Sequence, residues 1–316
     1  MPCSAGVIGA GVSGLTCGVL LAEHGFQTTI FAAELGSTTT SAAAGAIWFP
    51  YDVEPFDLAL RWALHSFRVF EKLLSEPGSG VSMIELQAFC RAGRMAVPPW
   101  ARNLGARIIS DPSFPIFSEG YSLTVPLIDT SRYLPYLAHR LRRSGGTLTE
   151  AHFSAPEEVS SEFQVVVNCA GIGARDLASD NSVEPHRGQV VIVPRLNNLN
   201  CAVVCDDAPL MYAIPRPNDC VFGGTNELSD NRQPDPNTTA AIVDQCSRAL
   251  NISPPKVVAE RVGLRPFRRA GVRVETDQLG DGRTVVHNYG HGGSGFTLSW
   301  GCAEDVLRLV TQAGSR

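Results

Sequence analysis

A chain of 316 residues that is 44% hydrophobic can bury a full core and is long enough for two domains. Its formal net charge of −5, with no run of Lys or Arg, excludes a nucleic-acid-binding face, because phosphate binding needs a basic surface. No stretch of about 18 apolar residues offers a membrane span, and nine scattered cysteines with no C-x-x-C pair or metal-like Cys/His spacing point to neither disulfides nor a metal centre.

The chain opens with Val7-Ile8-Gly9-Ala10-Gly11-Val12-Ser13-Gly14, which reads as a strand end, a G-x-G-x-x-G turn and the first turn of a helix. Leu15, Val19, Leu20 and Leu21 give that helix an apolar face ending near Gly25, and residues 26–31 alternate as a strand does, so the first unit is βαβ. Glu34 stands 20 residues after Gly14, where a carboxylate can accept hydrogen bonds from ribose hydroxyls; the alternative is a solvated loop residue. Residues 37–51 are small and hydroxyl-rich, then abruptly aromatic. Small residues let a backbone approach a ring system, and hydroxyls reach phosphate or pyrimidine oxygens.

Residues 58–76 predict an amphipathic helix, and residues 82–125 short strand-like pieces broken by Pro98, Pro99, Pro112 and Pro115. Helical periodicity resumes over 128–143, with Asp129 or Thr130 as cap and Gly145-Gly146 as stop. Arg140, Arg142 and Arg143 read there as a solvated face. The apolar run over 163–171 suits a buried parallel strand, with Cys17, Cys169 and Cys302 as small buried hydrophobes. Residues 188–225 give several strands of period two, 237–251 a helix, and 260–268 a passage back to a closing strand at 284–287. Four glycines in six residues, Gly290, Gly292, Gly293 and Gly295, then run into a helix over 296–310, freeing backbone N–H groups to meet a flat or anionic ligand. The fold class is α/β: a Rossmann-type dinucleotide domain (1–50, 126–185, 262–316) interrupted by a mainly antiparallel-sheet substrate domain (51–125, 186–261). Two glycine loops at opposite ends of the chain, each opening a helix, suggest a dinucleotide held at both ends.

Taken together, the opening glycine turn, Ala44-Gly45-Ala46-Ile47-Trp48-Phe49-Pro50-Tyr51, Val167-Asn168-Cys169-Ala170-Gly171, Arg187-Gly188-Gln189, Gly263-Leu264-Arg265-Pro266 and residues 287–300 resemble the D-amino-acid oxidase family of flavoproteins over nearly the whole chain. The resemblance implies non-covalent FAD, with a D-amino acid and O2 converted to an imino acid, hence a 2-oxo acid and ammonia, and hydrogen peroxide. It implies that Gly9, Ala10, Gly11, Val12, Ser13 and Gly14 cradle the pyrophosphate, that Glu34 holds the ribose, and that Thr39, Thr40 and Ser41 approach the phosphates. Ala44, Gly45, Ala46, Trp48 and Gly171 would line the cofactor, while Gly292, Gly293, Ser294, Gly295, Phe296 and Thr297 aim a helix N-terminus at the isoalloxazine ring. Arg265 would clamp the substrate carboxylate with Tyr212 as hydroxyl partner, and the Gly293 carbonyl would receive the amine. Phe49, Met211 and Leu210 would line the side-chain pocket, where plain core positions are the equal alternative. His291 reads as a residue that shapes the flavin site rather than as a base.

Two departures bear on specificity. Ala208 stands where many members have a first active-site tyrosine, and Phe49 replaces a polar residue, so a neutral or bulky D-amino acid is expected rather than D-aspartate. Arg216 could supply a second cationic clamp, although Ile-Pro-Arg-Pro reads more simply as a turn. A glycine or sarcosine oxidase, or a flavin-binding protein without turnover, are the competing readings. With no charged leader before the first strand and Ala313-Gly314-Ser315-Arg316 unlike a peroxisomal S-K-L signal, a cytoplasmic protein is expected, its oligomeric state, a homodimer among the options, left open.

Overall fold

The computed structural model describes residues 3–51 and 53–314; Ser315 and Arg316 of the terminus considered above lie outside them. The chain forms two compact units, unit 1 from residues 1–81, 129–186 and 264–316 and unit 2 from residues 82–128 and 187–263. Unit 1 is built on β1 (Ser4–Ile8), whose every residue is buried, as a central parallel strand requires. It pairs parallel with β2 (Gln27–Ala32) on one side and β7 (Val165–Asn168) on the other. β6 (Thr147–Glu150) extends the sheet beyond β2, and β15 (Thr284–Tyr289) extends it beyond β7, both parallel. The edge strand β14 (Arg273–Gln278), absent from the sequence reading, runs antiparallel to β15 as a hairpin.

Helix α1 (Val12–Glu23) packs between β1, α5 (Thr130–Arg143) and α8 (Gly295–Gly314). Asp129 caps α5 by accepting from the Ser131 amide at 3.0 Å. Arg142 and Arg143 are exposed as expected, but Arg140 is not a solvated residue: its Nε and Nη2 donate to Glu23 at 2.6 and 2.9 Å and its guanidinium lies over Trp300. Residues 51–81, grouped with the inserted domain by the sequence, lie in unit 1 because α3 (Phe56–Leu73) packs along α8. The Ser66 hydroxyl accepts from the Trp300 and Gly301 amides at 3.1 Å each, and Gly301 lies against the Trp62 backbone so closely that no Cβ would fit. The short helices α2 (Thr40–Ala43) and α6 (Ala174–Leu177) complete the unit. All nine cysteines are free, and Cys17, Cys169 and Cys302 are buried. No helix among the described residues is long and apolar enough to cross a membrane.

In unit 2, β3 (Val81–Cys90) and β5 (Glu119–Ile128) are ten-residue strands, longer than the fragments expected. The four prolines fall instead in the connection between them, which holds α4 (Pro99–Asn103) and β4 (Arg107–Ile109). The sheet continues through β8 (Val183–Pro194), β9 (Cys201–Cys205), β10 (Met211–Pro215), β11 (Asp219–Gly223), β12 (Glu227–Leu228) and β13 (Ala259–Arg268) in the order β12-β8-β11-β10-β9-β3-β5-β4, with β13 joined to β8. Helix α7 (Pro236–Leu250) covers one face, its Ile242, Val243, Cys246 and Leu250 packing with Val191, Met211, Ala213 and Phe222. The Arg187-Gly188-Gln189 motif fastens the loop leading into α7. Arg187, 3% exposed, donates to the carbonyls of Asn231 and Gln233, and Gln189 donates to the Asp235 carbonyl and the Thr239 hydroxyl.

Alternation along β10 turns Met211 and Ala213 toward α7 and Tyr212 to the opposite face. Tyr212 pairs across β10 and β11 with Gly223, and its ring lies over Gly223 and Gly224, where a Cβ would overlap it. Gly223→Ala should therefore cost about 1–3 kcal/mol of stability through overpacking. In a Tyr212→Ala background the cost should largely vanish, a coupling that denaturant unfolding of the two single variants and the double variant measures; equal costs in both backgrounds would show that the ring is not what fills that space.

Candidate active site

The glycine turn follows β1 directly. Gly9 takes a left-handed φ of +107°, and any Cβ there would collide with the Cys169 carbonyl at the end of β7; a Cβ on Gly14 would collide with the Gly9 carbonyl. These two glycines set how closely strand, turn and helix pack. Gly11 is different: a Cβ there would meet only the Ser41 hydroxyl, at 3.1 Å, and at Gly171, in the turn after β7, it would meet nothing within 4 Å. Both present open backbone at the carboxyl end of parallel strands, the place where doubly wound sheets bind ligands. Ser41 accepts from the Val12 amide at 2.9 Å and so stands at the N-terminus of α1, with a hydroxyl proton left to donate. Thr39 and Thr40 are engaged within the protein: Thr39 donates to the Gly36 carbonyl and caps α2, and Thr40 donates to the Leu264 carbonyl at 3.2 Å. Glu34 lies two residues beyond β2 and is exposed.

The second glycine loop meets the first. A Cβ on Gly295 would touch Val12 at 3.5 Å, so the starts of α8 and α1 converge although 283 residues separate them. The hydroxyls of this loop look inward. Ser294, 1% exposed, accepts from the Tyr51 amide at 3.0 Å and donates to the Tyr51 carbonyl at 2.6 Å, while Thr297 accepts from the Phe49 amide and donates to the Phe49 carbonyl. They lace residues 49–51 to the start of α8. Phe296 packs toward Tyr133. Trp48 has no exposed surface: its indole donates to the Ala63 carbonyl at 2.9 Å and its ring sits edge-on to Phe67.

Arg265 lies half-buried on β13, preceded by buried Leu264. Gly293 is beside it: a Cβ there would lie 3.2 Å from the Tyr51 ring and 3.6 Å from the Arg265 Cδ. Tyr51, which ends the motif over residues 44–51, thus shares this corner; its place directly after the small-residue run is its signal in the sequence. Phe49 is partly exposed at its edge. In unit 2, Leu210 is partly buried, but Met211 is 0% exposed within the α7 core and does not line a pocket. Arg216 is bound through Nε and Nη2 to both Asp219 oxygens, at 2.6 and 2.8 Å, so it is committed to an internal pair.

Beneath the glycine loop lies a buried polar layer that the sequence did not reveal. His291 Nε2 donates to Asn288 Oδ1 at 3.0 Å, and Asn288 Nδ2 donates to Cys17 Sγ at 3.1 Å. Burial pushes the imidazole pKa down to about 4, so the ring is neutral near pH 7. No cluster of three or more metal-binding side chains exists among the described residues. Two converging helix N-termini, open glycine backbone and a serine hydroxyl with a proton to give form a cradle whose chemistry fits the pyrophosphate of a dinucleotide.

Residues 5–309 match the FAD dependent oxidoreductase family. The chain is 42% identical over 312 residues to a D-amino-acid oxidase of Streptomyces coelicolor, covering 96% of each protein. It is 41% identical over 314 residues to a D-amino-acid oxidase of Rubrobacter xylanophilus, covering 97% of this chain and 95% of that one. A glycine oxidase from Geobacillus kaustophilus shares the fold, with a TM-score of 0.82 at 18% identity over 98% of this chain and 94% of the other.

The depressed pKa of His291 makes stability depend on pH. Between pH 6.5, where an exposed histidine protonates, and about 4, the unfolded chain takes up a proton that the native one refuses. Stability is therefore full above pH 6.5 and falls as pH drops through that window. His287, also pushed to about 4, first by burial and then by Arg273, adds to the slope. His291→Gln, which keeps a donor for Asn288, should flatten the decline in thermal midpoint between pH 7 and pH 5; an unchanged decline would assign it to other groups.

Proposed function

The chain belongs to the FAD dependent oxidoreductase family, and from that premise we propose that it oxidises D-amino acids with O2 and water to 2-oxo acids, ammonia and hydrogen peroxide. The observation that carries this reading is the placement of Arg265 beside Gly293, at the head of the glycine loop where two helix N-termini converge. When bound, FAD would supply the redox chemistry, an acceptor for the electrons of the α-carbon–hydrogen bond with O2 as the final oxidant. The protein's part is holding and orienting. Gly9 and Gly14 would shape the turn under the pyrophosphate, Gly11 and Ser41 would hold it, Glu34 would hold the ribose, and Ala44, Gly45, Ala46 and Gly171 would present bare backbone to the cofactor. The start of α8 would offer its positive end to negative charge developing on the cofactor.

Arg265 receives the substrate carboxylate through its planar fork, which matches a carboxylate in geometry and charge, and the Gly293 carbonyl accepts from the amine. Tyr212 and Leu210 keep the roles that the resemblance implies, as hydroxyl partner and side-chain lining, with Phe49. If the amine arrives neutral, positioning suffices and no side-chain base is needed. A neutral His291 whose Nε2 proton is given to Asn288 agrees with that. The pairing of Arg216 with Asp219 supports neutral or bulky side chains over D-aspartate, since it withdraws that candidate for a second cationic clamp. A cytoplasmic location belongs to the same proposal and is checked by cell fractionation.

The purified protein should be yellow and release FAD, not FMN, on denaturation. Gly11→Val puts a side chain where the phosphates pass and should give colourless protein; stoichiometric FAD in that variant would overturn the placement of the cradle.

Peroxide release should follow D-methionine, D-phenylalanine or D-alanine, with little from D-aspartate, glycine, sarcosine or any L-amino acid. Arg265→Ala should lower kcat/KM by at least about 100-fold, because each charge-assisted hydrogen bond to a buried carboxylate contributes roughly 1.5–3 kcal/mol. Arg265→Lys should recover only part of the loss, and both variants should keep their FAD. Near-normal flavin reduction by a D-amino acid in Arg265→Ala, measured in a single turnover, would move the carboxylate site elsewhere.

A further inference from the structure

We propose that Asp180 is a positioning residue for the substrate clamp: through Arg268 and Tyr289 it ties the strand that carries Arg265 to the segment that carries Gly293. The proposal rests on the reading of Arg265 and Gly293 as substrate contacts. Asp180 sits in the turn between α6 and β8, its side chain 11% exposed. Its Oδ2 accepts from Arg268 Nε at 2.7 Å and from the Tyr289 hydroxyl at 2.9 Å, and its Oδ1 accepts from the Ser182 hydroxyl and amide at 2.5 and 3.1 Å. The Tyr289 oxygen in turn accepts from Arg273 Nη1 at 2.7 Å. Burial alone would raise the Asp180 carboxyl; the hydrogen bonds from Ser182, Arg268 and Tyr289 outweigh it and hold the group below the usual carboxylate range.

The two anchored residues are close in sequence to the proposed contacts. Arg268 lies three residues beyond Arg265, and Gly293 four beyond Tyr289. The backbone makes the same connection: Phe267 bridges His291, the Arg269 amide donates to the Ser182 carbonyl at 3.1 Å, and Arg268 Nη1 donates to the Gly271 carbonyl at 3.0 Å. The Arg268 stem also lies across Gly290, where a Cβ would come within 2.8 Å of it; a side chain at Gly290 would push the two segments apart. Asp180 is thus a single anion gripping both sides of the corner in which Arg265 and Gly293 meet. Asp180→Asn removes the counter-charge of the Arg268 guanidinium, 17% exposed, and puts an NH2 donor where either Arg268 and Tyr289 or Ser182 now meets an oxygen; a small shift of that strand then misaims the Arg265 fork. Asp180 touches neither substrate nor cofactor in this scheme, so its effect should fall on substrate affinity.

The test compares Asp180→Asn, Arg265→Lys and the double variant as FAD-loaded enzymes with D-methionine. Asp180→Asn should raise KM about tenfold, change kcat less than about twofold and leave the FAD content intact. In the Arg265→Lys background the same change should raise KM by no more than about twofold, because the fork it aims is already gone. Affinity for the product 2-oxo-4-(methylthio)butanoate, measured by calorimetry without turnover, should fall in step with KM. A KM unchanged by Asp180→Asn, or raised equally in both backgrounds, overturns the proposal. Should Asp180→Asn fail to accumulate as a folded flavoprotein, Tyr289→Phe, which removes one hydroxyl from the lock, decides by the same criteria with an expected rise of about threefold. If Arg265→Ala itself leaves KM and product affinity untouched, the reading of the clamp falls and the lock with it; if Arg265→Ala abolishes binding while Asp180→Asn and Tyr289→Phe do not weaken it, the lock alone falls.

Discussion

Two helices begin at the same place, and the rest of unit 1 is arranged to make that possible. Each helix N-terminus carries roughly half a positive charge and several unpaired N–H groups. Bringing α1 and α8 together, with Val12 in reach of Gly295, is unfavourable unless something electron-rich sits against them. That constraint favours an anionic group such as the pyrophosphate of FAD, and the bare backbone of Gly11 and Gly171 leaves room for a ligand. Gly11 and Gly171 meet that need, whereas Gly9 and Gly14 are required by the packing of strand, turn and helix.

What the backbone gives up in side chains is made good one layer deeper. Ser294 and Thr297 spend their hydroxyls on residues 49–51, Trp48 faces Ala63 and Phe67, and His291, Asn288 and Cys17 form a hydrogen-bonded chain below the loop. A loop of four glycines in six residues has high conformational entropy when free. These internal bonds restrict it, and a restricted backbone is what electrostatic stabilisation requires. The network of Asp180, Arg268, Tyr289 and Arg273 extends the same bracing to the strand bearing Arg265.

Fold alone does not select the reaction. A glycine oxidase from Geobacillus kaustophilus superposes with a TM-score of 0.82 at 18% identity, so the two-unit framework accommodates very different sequences. The chemistry is carried by few positions. In unit 2, the Tyr212 ring is seated on two glycines and Arg216 is paired through both side-chain oxygens of Asp219.

The βαβ opening, the closing glycine loop, the strands of residues 188–225 and the four principal helices were legible in the sequence, because period, caps and glycines act over a few residues and leave a local mark. The cofactor class was legible for the same reason: backbone that must approach a ligand cannot carry a Cβ. Not legible was which of the residues near those loops turn outward. Met211 and Tyr212 are neighbours on one strand, and only the packing of α7 decides that the methionine is core. Ser41 reaches the helix N-terminus whereas Thr39 and Thr40 bond inward, and the Trp48 indole bonds to Ala63. Asp180 shares no pattern with Arg268 or Tyr289, which lie 88 and 109 residues away, and so had no sequence signal at all. A hydrogen bond or a buried face formed between distant segments depends on how the chain closes on itself; local periodicity carries no record of it, and only the tertiary structure decided those contacts.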